Sequence, residues 1–380
     1  MKIVQLTSDN RQLYGDFECR APLFGTAPEA LLQGFAGIRN AEVHVVSCLR
    51  QEVSSPGKLN DNIFYHSLVV PKLGWIRTGY QGCARAVRAL LTQIAPDVVH
   101  GQGTEKECAI AAVYSGYPNV VTLHGNMGRI QRLGHHGNWL FGAAASILEK
   151  HALSRTNGVF CNSEHTENLA QVSARKTWLV PNAVRAEFFR EQPDVRNNAV
   201  PVLLNVGLIY PLKRQLEILR CLRKVRQAGR EFKLVFVGAL SESTEYGKMF
   251  SREIRVAEKE GFAEYVGFLG LDALINVMDC ADGLIHFPSE EAFGLVVAEG
   301  LARGLKFFGS NLGGIVDIAS GIEGAELHEN FESLGTGVLR WLDAGAPTPQ
   351  SASRDVELRY HPHVVAERHL EIYRELISGL

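Results

Sequence analysis

The chain has 380 residues, 46% of them hydrophobic, and a net charge of −2 at neutral pH. This length exceeds what one hydrophobic core usually supports, so we predict two domains. The near-neutral charge excludes a globally basic nucleic-acid binder, and any charged partner must therefore be met by a local site.

Short apolar strands alternate with amphipathic helices in the first half of the chain, which is typical of parallel sheets covered by helices on both faces. The predicted strands of this half are residues 2–7, 41–48, 97–100, 119–122, 158–162 and 177–180. The helices predicted among them include residues 27–35, 81–94 and 141–153.

The same pattern returns in the second half, where strands are predicted at residues 202–206, 233–237, 265–268, 283–287 and 305–308. Residues 185–200 between the halves are charged and show no period, so we interpret them as a linker. The predicted fold class is therefore α/β, with two doubly wound units. Ligands of such open sheets bind beyond the carboxyl ends of the strands, and the candidate residues fall at those ends.

The end of the strand predicted at residues 283–287 is followed by helix-period residues near Phe293, so a helix should begin close to the end of the strand. The free backbone N–H groups of Phe293, Gly294 and Leu295 would then favour an anion. Gly294 would let that anion approach the backbone closely. A diphosphate is the ligand that this arrangement predicts.

Two glutamates, Glu291 and Glu299, lie eight positions apart in the same segment. The carboxylate of Glu299 is placed to accept hydrogen bonds from ribose hydroxyls, and that of Glu291 from hydroxyls or the amide of a transferred sugar. The alternative is that both are ordinary acids of a first helical turn, where negative charge is favoured.

This segment resembles the E-x7-E signature of family 4 glycosyltransferases, carried here by Glu291 and the run from Phe293 to Glu299. The turn at Gly313 and Gly314 extends the resemblance. It implies the GT-B fold, two Rossmann-like domains facing a deep cleft. The acceptor-binding domain would be residues 1–184, braced by a last helix at 364–380, and the donor-binding domain residues 201–363, after a linker at 185–200.

The resemblance also implies the activity. The expected reaction moves a sugar from a UDP- or GDP-linked donor to a hydroxyl of a glycan or lipid-linked acceptor, with retention of configuration, in surface polysaccharide or glycolipid synthesis. Two alternatives remain open: a nucleotide-sugar 2-epimerase of the same fold, and a non-catalytic nucleotide-sugar binding subunit. Analysis of the products separates the three.

The loop after the strand at 202–206 resembles the family's diphosphate-binding loop, which implies contacts from Gly207 and Lys213. A cation there would offset the charge of the leaving group. The arginine of the family pattern is replaced by Leu208, and Arg214 either compensates for it or is an ordinary residue at a helix start.

A second loop of this half, at Phe268 and Leu269, resembles the one that recognises the nucleobase through its backbone; a structural turn explains it nearly as well.

In the first half, residues 122–125 resemble the family's Thr-x-His-Gly, which implies that His124 reaches the donor sugar. Gly25 lies at the position of the family's glycine-rich loop, which implies that it helps to bind the donor at its phosphate and also touches the acceptor. His100 and Asn126 would line the acceptor site. The alternative for both histidines is a structural role at a strand end.

Metal and cofactor are not expected. The sequence has no Asp-x-Asp triplet, no Gly-x-Gly-x-x-Gly after either first strand, and no supporting ligands at zinc spacing around its paired histidines. We therefore predict a metal-independent hexosyltransferase without cofactor, whose donor is its nucleotide-sugar substrate.

The cellular location follows from composition. Seven scattered cysteines without a Cys-x-x-Cys pair argue against a disulfide framework and favour the cytoplasm. The first residues indicate a strand, not a signal peptide, and the longest apolar stretch, 139–148, is too short to span a bilayer. We expect a cytoplasmic protein with at most peripheral contact at the inner face of the plasma membrane.

Overall fold

The computed structural model describes residues 1–125, 139–192 and 198–379. The chain divides into two compact units. Unit 1 consists of Met1–Ala186 together with Tyr360–Leu380, and unit 2 of Glu187–Arg359. Unit 2 is thus an uninterrupted stretch inserted into the chain of unit 1. Both units are α/β, as predicted.

Unit 1 is built on a mostly parallel sheet. Its strands are β1 (Lys2–Leu6), β2 (Glu42–Leu49), β3 (Lys58–Asn60), β4 (Ile63–Val69), β5 (Val98–Gln102), β6 (Asn119–Leu123), β7 (Gly158–Cys161) and β8 (Thr177–Leu179). They lie in the order β3-β4-β2-β1-β5-β6-β7-β8, with β3 antiparallel to β4 and the other neighbours parallel. The order reverses at β1, so the carboxyl ends of β1 and β5 are where a ligand is expected.

Unit 2 has a second, parallel sheet. Its strands are β9 (Val202–Val206), β10 (Lys233–Val237), β11 (Ala263–Gly267), β12 (Gly283–His286), β13 (Lys306–Ser310) and β14 (Ala325–His328). Their order is β11-β10-β9-β12-β13-β14. Here the order reverses between β9 and β12, whose carboxyl ends carry Gly207 and His286.

Helices cover the sheets. In chain order, those of the described residues are α1 (Arg11–Tyr14), α2 (Thr26–Ala36), α3 (Gln81–Ile94), α4 (Glu107–Val113), α5 (Trp139–Arg155), α6 (Glu164–Ala170), α7 (Gln215–Gln227), α8 (Glu245–Lys259), α9 (Leu271–Asp279), α10 (Leu295–Ala302), α11 (Gly313–Ala319), α12 (Phe331–Asp343), α13 (Ala352–Tyr360) and α14 (Pro362–Ser378). None of these helices is both long and apolar enough to cross a membrane.

The last helix, α14, packs against α2 in unit 1. The two backbones approach so closely that a Cβ atom at Gly34 would lie 2.1 Å from the carbonyl oxygen of Pro362. Tyr373 and His369 of α14 are buried against Phe160 of β7, with ring centroids 5.8 and 5.0 Å away. The end of the chain therefore completes the core of its first unit.

One buried arginine holds the first residues of unit 2. The side chain of Arg303, at the end of α10, donates to the carbonyl oxygens of Phe188, Arg190 and Glu191 at 2.7–3.3 Å, and its Nε donates to Asp279 at 2.7 Å. The start of the segment read as a linker is thereby fixed to unit 2.

Candidate active site

The carboxyl end of β12 leads through a short loop into α10, and glycines shape this connection. Gly294, the residue before α10, has φ +101°, a left-handed conformation that favours glycine. Gly313 has no room for a side chain, because a Cβ atom there would lie 2.0 Å from the carbonyl oxygen of Glu291. The N–H of Gly314 donates to the same oxygen at 3.2 Å. The Gly-Gly turn therefore supports the loop that carries Glu291.

Glu291 receives two hydrogen bonds on one carboxylate oxygen. Lys213 Nζ donates to Oε2 at 2.6 Å and His286 Nε2 at 2.8 Å. Burial acts to raise the pKa of Glu291, but the charge of Lys213 and the bond from His286 outweigh it and lower the pKa to about 2. The carboxylate is thus ionised, and its Oε1 has no hydrogen-bond partner among the described residues.

His286 is a site residue that the sequence did not reveal. It is the last residue of β12 and is 1% exposed. Burial lowers its pKa, and Lys213 lowers it further. The neutral ring must carry its proton on Nε2 to donate to Glu291. In the sequence, a histidine at the end of an apolar run gave no sign of this pairing.

Lys213 ends the 3-10 turn Pro211–Lys213 that follows β9. Gly207, at the start of the same loop, has φ +151°, and a Cβ atom on the neighbouring Gly238 would lie 2.0 Å from its carbonyl oxygen. The N–H of Ser289 donates to the carbonyl oxygen of Leu212 at 2.9 Å. This bond joins the loops of Lys213 and Glu291, so two segments that the sequence proposed separately meet at one site.

Arg214 follows Lys213 in a left-handed conformation, φ +57°, that is costly for a residue with a side chain. Its guanidinium carbon lies 4.4 Å from the ring centroid of Phe331. The guanidinium has no side-chain hydrogen bond to the described residues. Leu208, at the expected arginine position, is 55% exposed and supplies no charge.

The other residues assigned to the donor differ in exposure. Glu299 lies on α10 and is only 5% exposed, so its carboxylate is more enclosed than its sequence position indicated. The side chain of Phe293 is buried in unit 2. Phe268, just after β11, is 77% exposed, and Leu269 is half-buried.

In unit 1, His124 follows β6 directly and lines a small cavity together with Gln102, Ala27 and His369. Its Nε2 lies 3.1 Å from Oε1 of Gln102. Burial lowers the pKa of His124, against an opposing effect of Glu105. The ring is therefore neutral near pH 7.

His100 lies in the interior of unit 1. Its ring is fully buried, with Nδ1 2.5 Å from the hydroxyl of Tyr373 and Nε2 2.6 Å from Oγ1 of Thr122. The acceptor role expected for it has no support from this geometry, because the ring has no exposed surface. The alternative, a structural histidine in the sheet, fits these contacts.

Gly25 and Asn126 complete the predicted set in unit 1. Gly25 precedes α2 with φ −69°, and a Cβ atom there would meet only Pro28, at 3.7 Å, so neither conformation nor space requires glycine. Asn126 lies outside the described residues, as do His135 and His136 of the paired histidines. The described residues contain no group of three or more His, Cys, Asp or Glu placed to hold a metal ion.

A buried ion pair beside Gly25 was also missed by the sequence analysis. Arg11 and Asp9, just after β1, have fully buried side chains 2.6 Å apart. Arg11 Nη1 donates to the carbonyl oxygen of Cys19 at 2.8 Å, and Asp9 accepts from the N–H of Leu23 at 3.3 Å. The pair therefore fixes the loop that leads into α2.

Two family models match adjacent parts of the chain. Residues 29–188 match Glycosyltransferase Family 4, and residues 187–350 match Glycosyl transferases group 1. The fold is shared with the crystal structure of Anabaena HepE in complex with UDP-glucose, at a TM-score of 0.72, 17% identity and full coverage of both chains. The predicted GT-B fold is confirmed.

Two curated proteins are similar in sequence. The phosphatidylinositol N-acetylglucosaminyltransferase gpi3 subunit of Schizosaccharomyces pombe is 23% identical over 74% of this chain and 62% of its own length. The lipopolysaccharide 1,2-N-acetylglucosaminetransferase of Salmonella typhimurium is 31% identical over 41% of this chain and 44% of its own. The chain thus spans less than two thirds of each relative.

Proposed function

Because the chain belongs to the family 4 glycosyltransferases, which have the GT-B fold, we propose that it transfers a sugar from a UDP- or GDP-linked donor to an acceptor hydroxyl with retention of configuration. The observation that carries this proposal is the ionised Glu291 held between Lys213 and His286 at the start of α10. The hydroxyl groups of a transferred sugar can donate hydrogen bonds to the carboxylate of Glu291. A nucleotide without that sugar would not need a carboxylate at this position.

Unit 2 is proposed to bind the donor. The backbone N–H groups of Phe293, Gly294 and Leu295 would bind the diphosphate, with Lys213 and Arg214 as its cations. Oε1 of Glu291 would accept from a sugar hydroxyl, and Glu299 from the ribose. As the glycosidic bond breaks, negative charge grows on the leaving diphosphate, and the ammonium of Lys213 stabilises it.

The chemistry proposed needs no protein nucleophile. In the family mechanism, the acceptor hydroxyl attacks on the face from which the diphosphate leaves, and a donor phosphate oxygen takes its proton. By resemblance, His124 is a candidate contact of the donor sugar, and Gly25 of the phosphate and the acceptor. Cations and helix N–H groups take the part that Mg²⁺ has in other transferases, so the reaction is proposed to be metal-independent.

The names of the two relatives support a proposal for the chemical class of the acceptor and for the cellular location. The two relatives are named for transfer to lipopolysaccharide and to phosphatidylinositol, and both names specify N-acetylglucosamine. We therefore favour a glycan or lipid-linked acceptor in surface polysaccharide or glycolipid synthesis, used by a cytoplasmic protein at the inner face of the membrane. HepE, whose structure holds UDP-glucose, favours UDP as the first nucleotide to test.

One observation supports a second candidate, a non-catalytic nucleotide-sugar binding subunit. The residue at the expected arginine position is the uncharged, exposed Leu208, so the diphosphate would lose one cation. Arg214 is the residue that would replace it.

A thermal-shift screen tests donor binding. UDP, GDP and their sugar conjugates are added at about 100 times the dissociation constant, where a ligand stabilises the folded state by about 2.7 kcal/mol. Lys213→Ala serves as the binding-deficient control. Stabilisation by no nucleotide diphosphate would contradict both candidates.

Product analysis then separates the activities. A transferase releases nucleotide diphosphate only with acceptor present and forms a product with the anomeric configuration of the donor. An epimerase changes the sugar without an acceptor, and a binding subunit shows the thermal shift with no turnover.

A further inference from the structure

Two side chains of unit 2 share one carboxylate oxygen of Glu291. Lys213 Nζ and His286 Nε2 both donate to Oε2, at 2.6 and 2.8 Å. The lysine ends the turn after β9, and the histidine is the last residue of β12, so the two donors come from different segments. A lysine is charged near pH 7, whereas a histidine is neutral or charged according to its surroundings. Glu291 therefore has one partner of fixed charge and one whose charge can change.

The two donors also differ in freedom of movement. The side chain of Lys213 is 25% exposed and that of His286 only 2%. His286 is held by the pairing of β12 with β13, where it lies opposite Gly309, and Asn205 Nδ2 donates to the carbonyl oxygen of the neighbouring Ile285 at 2.8 Å. The ammonium of a lysine, in contrast, is carried on a flexible four-carbon chain. Lys213 can thus turn to another anion while His286 stays beside Glu291.

A bound diphosphate is such an anion. If the donor binds to unit 2 as proposed, the ammonium of Lys213 turns toward the phosphates. Oε2 of Glu291 then keeps the bond from His286 and loses its charged partner. A largely enclosed carboxylate with one neutral donor is unfavourable, and a charged donor makes a stronger hydrogen bond to it. Protonation of His286 supplies that charged donor.

The charges around His286 act in the same direction. Burial lowers its pKa, the bond to Glu291 raises it, and the charge of Lys213 lowers it. These two are the charged groups of the described residues that act on the ring. When Lys213 turns to the diphosphate, one lowering effect is removed and the carboxylate remains. Nε2 already carries the hydrogen given to Glu291, so the added proton goes to Nδ1.

We propose that His286 takes up a proton from the solvent as the donor binds and replaces Lys213 as the charged partner of Glu291. His286 is then a positioning residue, which holds the carboxylate in place for the sugar while Lys213 contacts the diphosphate. The inference rests on the proposed function for its ligand. The effect of Lys213 on His286, however, is a property of the free protein and is measured without a donor.

An NMR titration of the histidines in the full chain tests this effect. The signal of His286 is assigned as the one that is lost in His286→Gln. In the wild-type protein we expect a pKa below the ordinary value of 6.5. In Lys213→Met the pKa of His286 should be higher, because the variant removes the cation and leaves Glu291 in place.

Arg214→Met is the matched control for this titration. It removes the neighbouring cation, whose guanidinium lies over Phe331, and should leave the pKa of His286 as in the wild type. An equal or lower pKa in Lys213→Met would overturn the proposal. If that variant does not fold, Lys213→Gln removes the same charge and decides.

Calorimetry measures the proton taken up on donor binding. UDP-glucose is titrated into the protein near pH 6.5, in two buffers that differ in their enthalpy of ionisation. Its diphosphate is esterified at both ends and does not titrate in this range. The wild type should take up part of one proton for each donor bound, and His286→Gln none.

His328→Gln is the matched control for calorimetry. His328 is the last residue of β14 in the same unit, and its Nε2 lies 3.6 Å from Glu326 instead of Glu291. This variant should take up as much of a proton as the wild type. Equal uptake by the wild type and His286→Gln would overturn the proposal.

The same linkage fixes how donor affinity varies with pH. Between the pKa values of His286 in the free and bound states, the bound state holds more protons, so lowering the pH strengthens binding. The donor Kd of the wild type should therefore fall between about pH 8 and about pH 6, by at most about tenfold per pH unit. His286→Gln offers an amide N–H to Glu291 but does not titrate, and its Kd should stay constant. A constant Kd in the wild type would contradict the inference.

His286→Phe tests the positioning role itself. It keeps an aromatic ring but gives Glu291 no hydrogen bond, so it should bind the donor more weakly than His286→Gln at each pH. Equal affinities of the two variants would exclude positioning by His286. If neither UDP- nor GDP-sugars bind the wild type, the proposed function fails, and the ligand-free titration alone judges the effect of Lys213 on His286.

Discussion

Lys213 and Glu291, which the sequence assigned to different parts of a ligand, form one ion pair, with Nζ 2.6 Å from Oε2. Lys213, which we expect to contact the diphosphate, thus lies beside Glu291, which we expect to contact the sugar. In the ligand-free protein, each residue compensates the other's charge. If the donor binds as proposed, it adds a second anion to the same lysine, and we expect donor binding to change the ion pair with Glu291.

The first prediction concerns Lys213→Ala. Loss of this cation should lower turnover by about 100-fold or more, by analogy with lost oxyanion donors. It should also lower the free energy of unfolding by about 1–3 kcal/mol, because Glu291 keeps its burial and loses a partner. Steady-state kinetics and urea unfolding measure the two effects. If nucleotide binding and turnover are unchanged, the diphosphate binds elsewhere. That result would favour the second candidate, a non-catalytic binding subunit.

Arg214 can be tested by comparing Ala with Gly. Arg214→Ala loses the stacking on Phe331, worth about 0.5–1 kcal/mol, and keeps the positive φ. Arg214→Gly loses the same stacking but relieves backbone strain of about 1 kcal/mol, so it should be the more stable variant. Both should bind the donor more weakly if the guanidinium contacts the diphosphate. Wild-type donor affinity in both would restrict Arg214 to a structural role.

Glu299→Ala should weaken donor binding by about 1.5–3 kcal/mol, the usual cost of losing a charged hydrogen-bond partner. Isothermal titration with the nucleotide found in the thermal screen measures the change. Glu332→Ala, at an exposed acid in the first turn of α12, is the matched control and should bind normally. If the two variants bind the donor with equal affinity, Glu299 does not contact the donor and is an ordinary acidic residue of the helix.

The lowered pKa of Glu291 predicts a pH-dependent stability. Its folded pKa, about 2, lies below its ordinary value of 4.5. The ionised group therefore stabilises the fold above pH 4.5, by up to about 3 kcal/mol, and this contribution is lost as the pH falls from 4.5 toward 2. The difference in unfolding free energy between wild type and Glu291→Gln should fall to about half or less by pH 3. A difference that does not vary with pH, as expected for the control Glu332→Gln, would contradict the ion pair.

Activity should not require a divalent metal. The sequence offers no Asp-x-Asp triplet, and the proposed site supplies Lys213 and helix N–H groups to the diphosphate. Turnover after extensive dialysis against EDTA should equal that before it. Complete loss of activity, restored by Mg²⁺ or Mn²⁺, would exclude the proposed mechanism.

Most of the strands were predictable, but three strands at or near a sheet edge were not. Val202–Val206 and Lys233–Val237 have the predicted bounds, because both faces of a central parallel strand are buried and its sequence is an apolar run. Ile63–Val69 was missed, since this strand near the sheet edge alternates buried Ile63 and Tyr65 with half-buried Phe64 and His66. The short β3 and β14 were missed as well.

Only those parts of the candidate site that are formed by residues close together in the sequence were predictable. The loop at Glu291 and the glycine before α10 follow from local sequence. The bond from His286 depends on how the loop turns back onto its own strand, and the hydrogen bond from Gln5 to Tyr373 in unit 1 joins residues 368 positions apart. Such contacts are set by tertiary packing, which periodicity and motifs do not report.

The insertion of unit 2 into the chain of unit 1 has a consequence for biosynthesis. Residues 187–359 leave the ribosome as one uninterrupted length, and a unit with its own core can fold at once. Unit 1 starts earlier but must wait for α14, since His100 meets Tyr373 only after 273 further residues. Until then, the face of α2 that α14 covers stays exposed to chaperones and to other nascent chains. The unit begun first is the one completed last.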